Sequence, residues 1–471
     1  KASSCKHGTG TYYSFYYTLG GFLQMKQETT STNQITEGVI WKQLLLFFFP
    51  IVMGTFFQQL YNTADTVIVG RFVGKEALAS VGGSTAQIVN LIVGFFVGLA
   101  SGATVIISQF YGAQDKRNVD RSLHTAFAFS IVGSVFITIL GIAIAPWLLK
   151  IMNTPENLLA DSVLYMRIYF AGILFVFIYN VGSSILRAVG DSKRPLYYLI
   201  VCCILNIVLD LILILVFHMG VAGAAIATVV SQAVSAILVT RALMKSDDLL
   251  HLELKEIRFY KAALLSLIWI GLPTGIQSTM YNASNMFIQA SLNTFGTDTM
   301  AAWTAFGKID ALYWMGNSAF GIAVTTFVGQ NYGAVKYDRM KKCVRIGIGM
   351  ALIASLIFTI VFFLGGRSLF HLFTDDTAVI DIGMQMLHLI APSYFLFVFI
   401  ELLSGALRGT GDVIIPMIMT CGGICLLRVL WIIFIVPLKP GLETIIFSYP
   451  VTWFITAVLF IIYYIWKSRK L

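Results

Sequence analysis

Two short motifs occur twice in this chain, and the spacing between copies is the same for both. Gln109-Phe110-Tyr111-Gly112-Ala113 returns as Gln330-Asn331-Tyr332-Gly333-Ala334, and Leu186-Arg187-Ala188-Val189-Gly190-Asp191 returns as Leu407-Arg408-Gly409-Thr410-Gly411-Asp412, each at an offset of 221 residues. A third echo, Phe49-Pro50 against Leu272-Pro273, is displaced by two more. A duplication this long restricts the fold to two copies of one helical bundle set side by side, a plan shared by many secondary transporters. The copies differ in their acids. Only the first carries Asp65, Asn206 and Asp210 inside apolar segments, where ionisable groups are expensive and mark a working site.

The bundle must lie in lipid. Of 471 residues, 58% are hydrophobic and 12% charged, against roughly 25% charged in a soluble domain; mean hydropathy is +0.82. The net charge of +9 sits in short loops, as membrane topology requires, and argues for no nucleic-acid partner. Cys5, Cys202, Cys203, Cys343, Cys421 and Cys425 show no CxxC pair and read as small apolar packing residues rather than a disulfide framework or metal site.

A span needs about 20 apolar residues. Such runs fall at roughly 41–69, 77–110, 122–149, 158–186, 195–217 and 221–243, then 263–292, 299–329, 344–370, 378–406, 413–437 and 442–466. The expectation is an all-α integral membrane protein of twelve transmembrane helices: a lead-in at 1–40, a first lobe at 41–245, a cytoplasmic linker at 246–262, a second lobe at 263–466 and a tail at 467–471. Residues 1–24 lack a starting Met and read as an artefact of translation start, with Met25 the true start. Alternate loops and both ends hold 22 Lys and Arg, the opposite side six, which predicts cytoplasmic termini in a cell membrane. With six spans per half, both halves face the same way, related by an axis along the membrane normal.

Within the first span, Gln58, Tyr61, Asn62 and Asp65 form one polar stripe at helical spacing. Pro50 lies inside the same span, where a lost backbone hydrogen bond permits a hinge. Asn206 and Asp210 share a face of the fifth span, and Thr228, Ser231, Gln232 and Ser235 stripe the sixth. Two carboxylates near each other in low dielectric cannot both ionise cheaply, so the pair should take a proton or a cation such as Na⁺. The bland alternative is an acid near a helix end and interhelical hydrogen-bond glue; Asn180 in the fourth span is open to either reading. The second half carries Lys308, Asp310, Glu401 and Arg428 instead, which read as mutually neutralising charges or as a second site with Lys308 facing a substrate carboxylate. Gly190-Asp191 and Gly411-Asp412 read as turn anchors that cap helix ends. Tyr281 and its aromatic and methionine neighbours are candidates for an adaptable cleft for apolar cations. No HExxH, phosphate-binding GK[ST] loop or GxSxG appears, so no catalytic centre or cofactor is expected and transport energy should come from an H⁺ or Na⁺ gradient.

The segment from about Trp41 to Lys467 resembles the MATE (multidrug and toxic compound extrusion) family, through the Pro50…Asp65 spacing, Ile185–Pro195, Phe327–Ala334 and Asn206–Ile214. The resemblance implies two six-helix lobes around a V-shaped cleft, and export of cationic or amphipathic drugs by antiport against H⁺ or Na⁺; one pair of lobes should suffice as a functional monomer. It carries the family's first-lobe coupling residues over to Asp65, Asn206, Asp210 and Thr228; the residue patterns themselves, apart from the resemblance, offer Gln58, Tyr61, Asn62, Asn180, Tyr281, Lys308 and Glu401 as candidate substrate or relay positions. Some members instead use acids on the seventh and tenth helices. Here the seventh span has none, and Glu401 stands one turn from the family's place on the tenth, which favours first-lobe coupling. The alternatives are a flippase of the same superfamily for lipid-linked oligosaccharide, with Lys308 and Arg428 as its only cleft cations, and a non-transporting receptor or enzyme. A major-facilitator fold is disfavoured by the loop Tyr111–Arg117.

Overall fold

The structure is a computed structural model that describes residues 34–470 apart from 153, 247 and 248. The expectation about residues 1–24 lies outside the described residues. Within them the chain is helical, with no strand. The principal helices of the first half are α1 (Ile40–Phe72), α2 (Ser84–Gly112), α3 (Lys116–Ile151), α4 (Glu156–Ala171), α5 (Ile173–Ala188), α6 (Lys193–Leu211) and α7 (Gly220–Met244). Those of the second are α8 (Lys261–Leu292), α9 (Thr297–Gly333), α10 (Tyr337–His371), α11 (Thr377–Ile390), α12 (Tyr394–Gly409), α13 (Ile414–Thr420) and α14 (Ser448–Ser468).

Among the described residues, ten helical stretches are long and apolar enough to cross a membrane, and α4 with α5, bent by 48° at Gly172, makes up to eleven. The expected twelfth is α9. It is 37 residues long, but Asp298, Lys308, Asp310 and a run of Gly, Thr and Asn dilute its apolar character, and it is not among those stretches. Its outward surface is modest because much of it is packed inside the protein: Phe306, Ile309, Tyr313, Phe320, Val324 and Phe327 are all buried.

The exterior is apolar, as a lipid solvent demands. On α10, Ile353, Leu356, Ile357, Ile360, Val361 and Leu364 are all exposed, and their spacing draws one stripe along the helix. The duplication also appears as matched irregularities. Gly172 breaks the α4–α5 pair, and a 3₁₀ turn at Ala391–Ser393 separates α11 from α12 at the equivalent place. Past α6 the helix widens to a π turn over Ile212–Val216, and α13 continues through π turns at Cys421–Leu426 and Trp431–Ile435. Gly190 (φ +100°) and Gly411 (φ +87°) occupy the left-handed region that glycine adopts without strain. They close the turns before α6 and α13. Asp191 then accepts from the backbone N–H of Lys193 at 3.0 Å and of Arg194 at 3.1 Å, capping α6 as expected. Asp412 instead holds the last helix, accepting from Tyr463 Oη at 2.6 Å and pairing with Lys467 Nζ at 3.1 Å.

The halves meet along two unlike seams. On one, α2 and α8 cross through Gly98-x-x-x-Gly102 and Gly271-x-x-x-Gly275. A Cβ on Gly98 would stand 2.7 Å from Gly275 Cα, one on Gly102 2.7 Å from the Leu267 carbonyl oxygen, and one on Gly271 would overlap the Leu99 carbonyl. Small residues three apart permit this backbone approach. On the other seam, α1 and α9 are filled by rings: Phe48 stacks on Phe320 at 4.1 Å and Phe47 meets Phe327 edge-on at 5.8 Å. The seams join at one end of the bundle, where Gly112 and Gly333 each lie against the other half's repeated glutamine. The linker packs onto α3: Leu250 and Leu252 are buried, Glu253 N–H donates to His124 Nε2 at 3.0 Å, and Tyr260 N–H donates to Thr125 Oγ1 at 3.2 Å.

Candidate functional site

In the first half, α6 lies between α1 and α7 and packs on both. Each contributes one polar face to the place where they meet. Asp65 comes from α1, Asn206 and Asp210 from α6, Thr228 and Gln232 from α7, and all five are buried. Asp65 and Asp210 are near enough for their carboxyls to interact electrostatically. Among the described residues, neither oxygen of Asp210, nor Asp65 Oδ1, has a donor. Asn206 Oδ1 and Nδ2, Thr228 Oγ1 and Gln232 Oε1 are also buried without a partner. Buried polar groups left unpaired, as these carboxyl, amide and hydroxyl groups are among the described residues, are unfavourable at roughly 1–3 kcal/mol per group. Facing acceptors are relieved by a shared proton or by a hard cation, which oxygen ligands suit.

The α7 register follows from one contact. Gln232 Nε2 reaches Tyr61 Oη at 3.3 Å. Because α1 and α7 run antiparallel, one turn onward along α1 and one turn back along α7 bring Thr228 level with Asp65. The stripe expected on α1 divides: Tyr61 and Asp65 point inward, whereas Gln58 and Asn62 are exposed. Tyr165 and Tyr169 from α4 close the site, with Tyr165 in electrostatic reach of both carboxyls. Sequence reasoning missed these two, although their i, i+4 spacing on a helix of the same half carries the signal. Pro50 lies within an unbroken α1, fifteen residues before Asp65. Asn180 sits apart. It donates to its own helix at Val176 O (2.8 Å) and lines a small apolar cavity with Phe96 and Phe177.

The second-half charges arrange differently from the expected mutual neutralisation. Asp310 accepts from Trp314 Nε1 at 2.6 Å and from Tyr394 Oη, inside a ring of Tyr313, Phe397 and Trp453. Lys308 is exposed and takes no part in holding it. Glu401 pairs with Arg408 at 3.5 Å and lies against Gly321, where a Cβ would overlap its Oε1. Tyr281 is half-buried, edge-on to Phe397 at 6.4 Å, and its hydroxyl has no partner among the described residues. Arg428 is 1% exposed.

Asp120, His124 and Glu256 come close enough to hold a metal. However, His124 Nε2 accepts from Glu253, and its Nδ1 faces the Asp120 carbonyl at 2.9 Å. Both ring nitrogens are thus spent, Nε2 on tying the linker to α3 and Nδ1 on the backbone of α3 itself.

A family model described as MatE matches residues 50–212 and 273–433. The chain is 28% identical over 461 residues, 95% of its length and 99% of the relative's, to a probable multidrug resistance protein YoeA of Bacillus subtilis strain 168. It is 29% identical over 377 residues, 80% of its length and 84% of the relative's, to a probable multidrug resistance protein YpnP of the same organism. The fold superposes on a MOP superfamily transporter from Pyrococcus furiosus Vc1 with a TM-score of 0.87 at 24% identity, covering 94% of this chain and 99% of that one.

Proposed function

This chain belongs to the MatE family, and on that premise we propose that it is a secondary active exporter of cationic and amphipathic small molecules, driven by antiport of H⁺ or Na⁺. It is a multi-pass membrane protein; in this reading it is a transporter rather than an enzyme, acts as a monomer in the cell membrane and keeps both termini in the cytoplasm. The observation that carries the reading is the apposition of Asp65 and Asp210, buried together with no donor from the described residues. Such a pair is costly empty and relieved when it loads H⁺ or Na⁺. Asn206 and Thr228 add neutral oxygens to the same place and serve as its further ligands, and Tyr61 is held at its edge by Gln232.

Coupling requires the ion to bind the two access states differently. Loading from outside neutralises the first-half site. The outer part of α1 then bends at Pro50, where Leu46 O lacks its usual donor, and drug affinity falls. Release of the ion to the cytoplasm resets the bundle. Gln58 and Asn62, exposed on the adjoining face of α1, are substrate contacts in this scheme. Glu401, already paired with Arg408, and Asn180, bonded within its own helix, support packing. The flippase alternative is not favoured: a pyrophosphate needs several converging cations, and Lys308 is exposed while Arg428 is buried singly.

Export of ethidium from proteoliposomes of the purified protein, with a proton gradient or a Na⁺ gradient imposed separately, tests this. Transport under one gradient that vanishes in Asp65→Asn supports first-half coupling and names the ion. Gradient-driven transport that survives the substitution removes Asp65 from the mechanism, and no transport by folded protein under either gradient sinks the export reading.

A further inference from the structure

Arg428 is the one fully buried cation in the second half among the described residues, at 1% exposure. It stands in the short helical stretch Leu427–Leu430 between the π turns Cys421–Leu426 and Trp431–Ile435, an irregularity that recurs at functional sites in helices. Its guanidinium lies 4.0 Å over the ring of Tyr449. Nη1 reaches Asn285 Oδ1 at 3.4 Å, a long and neutral contact. Nε and Nη2 are buried with no acceptor among the described residues, and so is the Tyr281 hydroxyl, within electrostatic reach of the same guanidinium. The nearby acids are already committed: Asp310 to Tyr394 and Trp314, Glu401 to Arg408.

A buried charge left without a counter-charge is strongly unfavourable. A guanidinium with Nε–H and Nη2–H free presents the two parallel donors that match a carboxylate. Asn285 itself is exposed, so this fork lies one side chain beneath the surface. The 221-residue offset maps Arg428 onto Ile207, next to Asn206. The two halves therefore present opposite charge at equivalent places: acids in the first, a cation in the second.

We propose that Arg428, with Tyr281 and Asn285, forms a carboxylate-binding site, and that the transported compounds include zwitterionic amphiphiles whose anionic end docks there. This deepens the export reading and rests on it for the nature of the ligand.

The test is equilibrium binding rather than transport, using rhodamine B and its ethyl ester, which share a cationic ring system and differ in one carboxylate. Binding to the purified full chain in detergent is read by dye anisotropy. The wild type should prefer rhodamine B by about tenfold, the factor that 1.4 kcal/mol of binding energy supplies. Arg428→Gln should abolish the preference by weakening rhodamine B alone. Arg428→Lys, which keeps the charge but loses the fork, should retain part of it and serves if Arg428→Gln does not fold. Equal affinity of the wild type for both dyes overturns the proposal while leaving multidrug binding intact. So does a parallel loss for both dyes in either variant. Failure of the wild type to bind either dye overturns the proposal and the export reading together.

Discussion

Gln330 donates from its side-chain amide to the carbonyl of Ala188 at 2.7 Å, and its repeat counterpart Gln109 donates to the carbonyl of Gly409, the counterpart of Ala188, at 2.8 Å. Each glutamine thereby ties the end of one half's second long helix to the helix terminus of the other half. Glycine at 112 and 333 makes room, since a Cβ at either would overlap the opposing glutamine's carbonyl. The repeated motifs are a reciprocal clasp between lobes, and they close this end of the bundle.

Replacing both glutamines should loosen the clasp. Each bond contributes roughly 0.5–1.5 kcal/mol net, and loss leaves a helix-terminal carbonyl unpaired. Gln109→Leu and Gln330→Leu should each lower the melting temperature by a few degrees, and the double variant by their sum or more. Ser108, fully buried against Gly329, reports opening. In a background without other cysteines, a Ser108→Cys reporter should label with maleimide several-fold faster in the double variant. Unchanged labelling would mean that the seam is held elsewhere.

The two inter-lobe seams should differ in how far they tolerate a change in side-chain volume. Overpacking a tight contact costs typically 1–3 kcal/mol; at Gly98 the atoms met are all backbone, which cannot rotate away, and at Gly275 they are the Phe95 carbonyl oxygen and the Phe95 ring. Gly98→Val and Gly275→Val should therefore sharply reduce the yield of monodisperse protein. Phe48→Leu, on the ring-filled seam, deletes contact with Phe320 but forces nothing apart. It should fold, with a modestly lower melting temperature. Equal tolerance at both positions, read by size-exclusion chromatography, would contradict the asymmetry.

Much of this organisation was legible in the chain. The 221-residue echo fixed which positions are equivalent, and apolar run length marked the helices. It did not disclose what the repeated glutamines do, because an internal offset says nothing of which copy's terminus lies opposite. The stripe on α1 was read too broadly: four residues at helical spacing cover a wide arc, and only Tyr61 and Asp65 fall on its inner edge. Lys308 and Asp310 invited pairing by proximity, yet residues two apart on a helix do not face each other, and Asp310 turns to Tyr394 and Trp314 instead. The glycine seam was readable as two GxxxG stretches, which hydropathy alone passes over.

Asp310 and Asp65 should exchange their phenotypes. Asp310 receives two donors, and an amide has one acceptor oxygen and turns a donor toward the other, so Asp310→Asn should destabilise by roughly 1–3 kcal/mol while leaving ion coupling in place. Asp65→Asn removes an acid that lacks a donor at Oδ1, so melting should be unchanged or raised while gradient-driven transport is lost. Glu401→Gln should resemble a weakened Asp310→Asn, because its partner Arg408 is 3.5 Å away and both side chains are partly exposed, conditions under which an ion pair is worth about 1 kcal/mol or less. Loss of coupling in Asp310→Asn or Glu401→Gln would move the ion to the second half.

The neutral ligands offer a way to separate Na⁺ from H⁺ without transport. A Na⁺ bound between Asp65 and Asp210 would draw on Asn206 Oδ1 and Thr228 Oγ1, both buried and unpartnered, because a hard cation completes its shell with neutral oxygens. A proton shared by two carboxyls needs neither. If Na⁺ is the coupling ion, replacing choline by Na⁺ at fixed pH and ionic strength should raise the melting temperature, since a ligand at tenfold its Kd stabilises by about 1.4 kcal/mol. Thr228→Val and Asn206→Ala should erase that rise while Asp65→Asn also erases it. If H⁺ is the ion, melting should respond to pH and not to Na⁺, and Thr228→Val should couple nearly as well as the wild type. A Na⁺-dependent rise that persists in all three variants would place the cation outside this cluster and remove Thr228 and Asn206 from the coupling site.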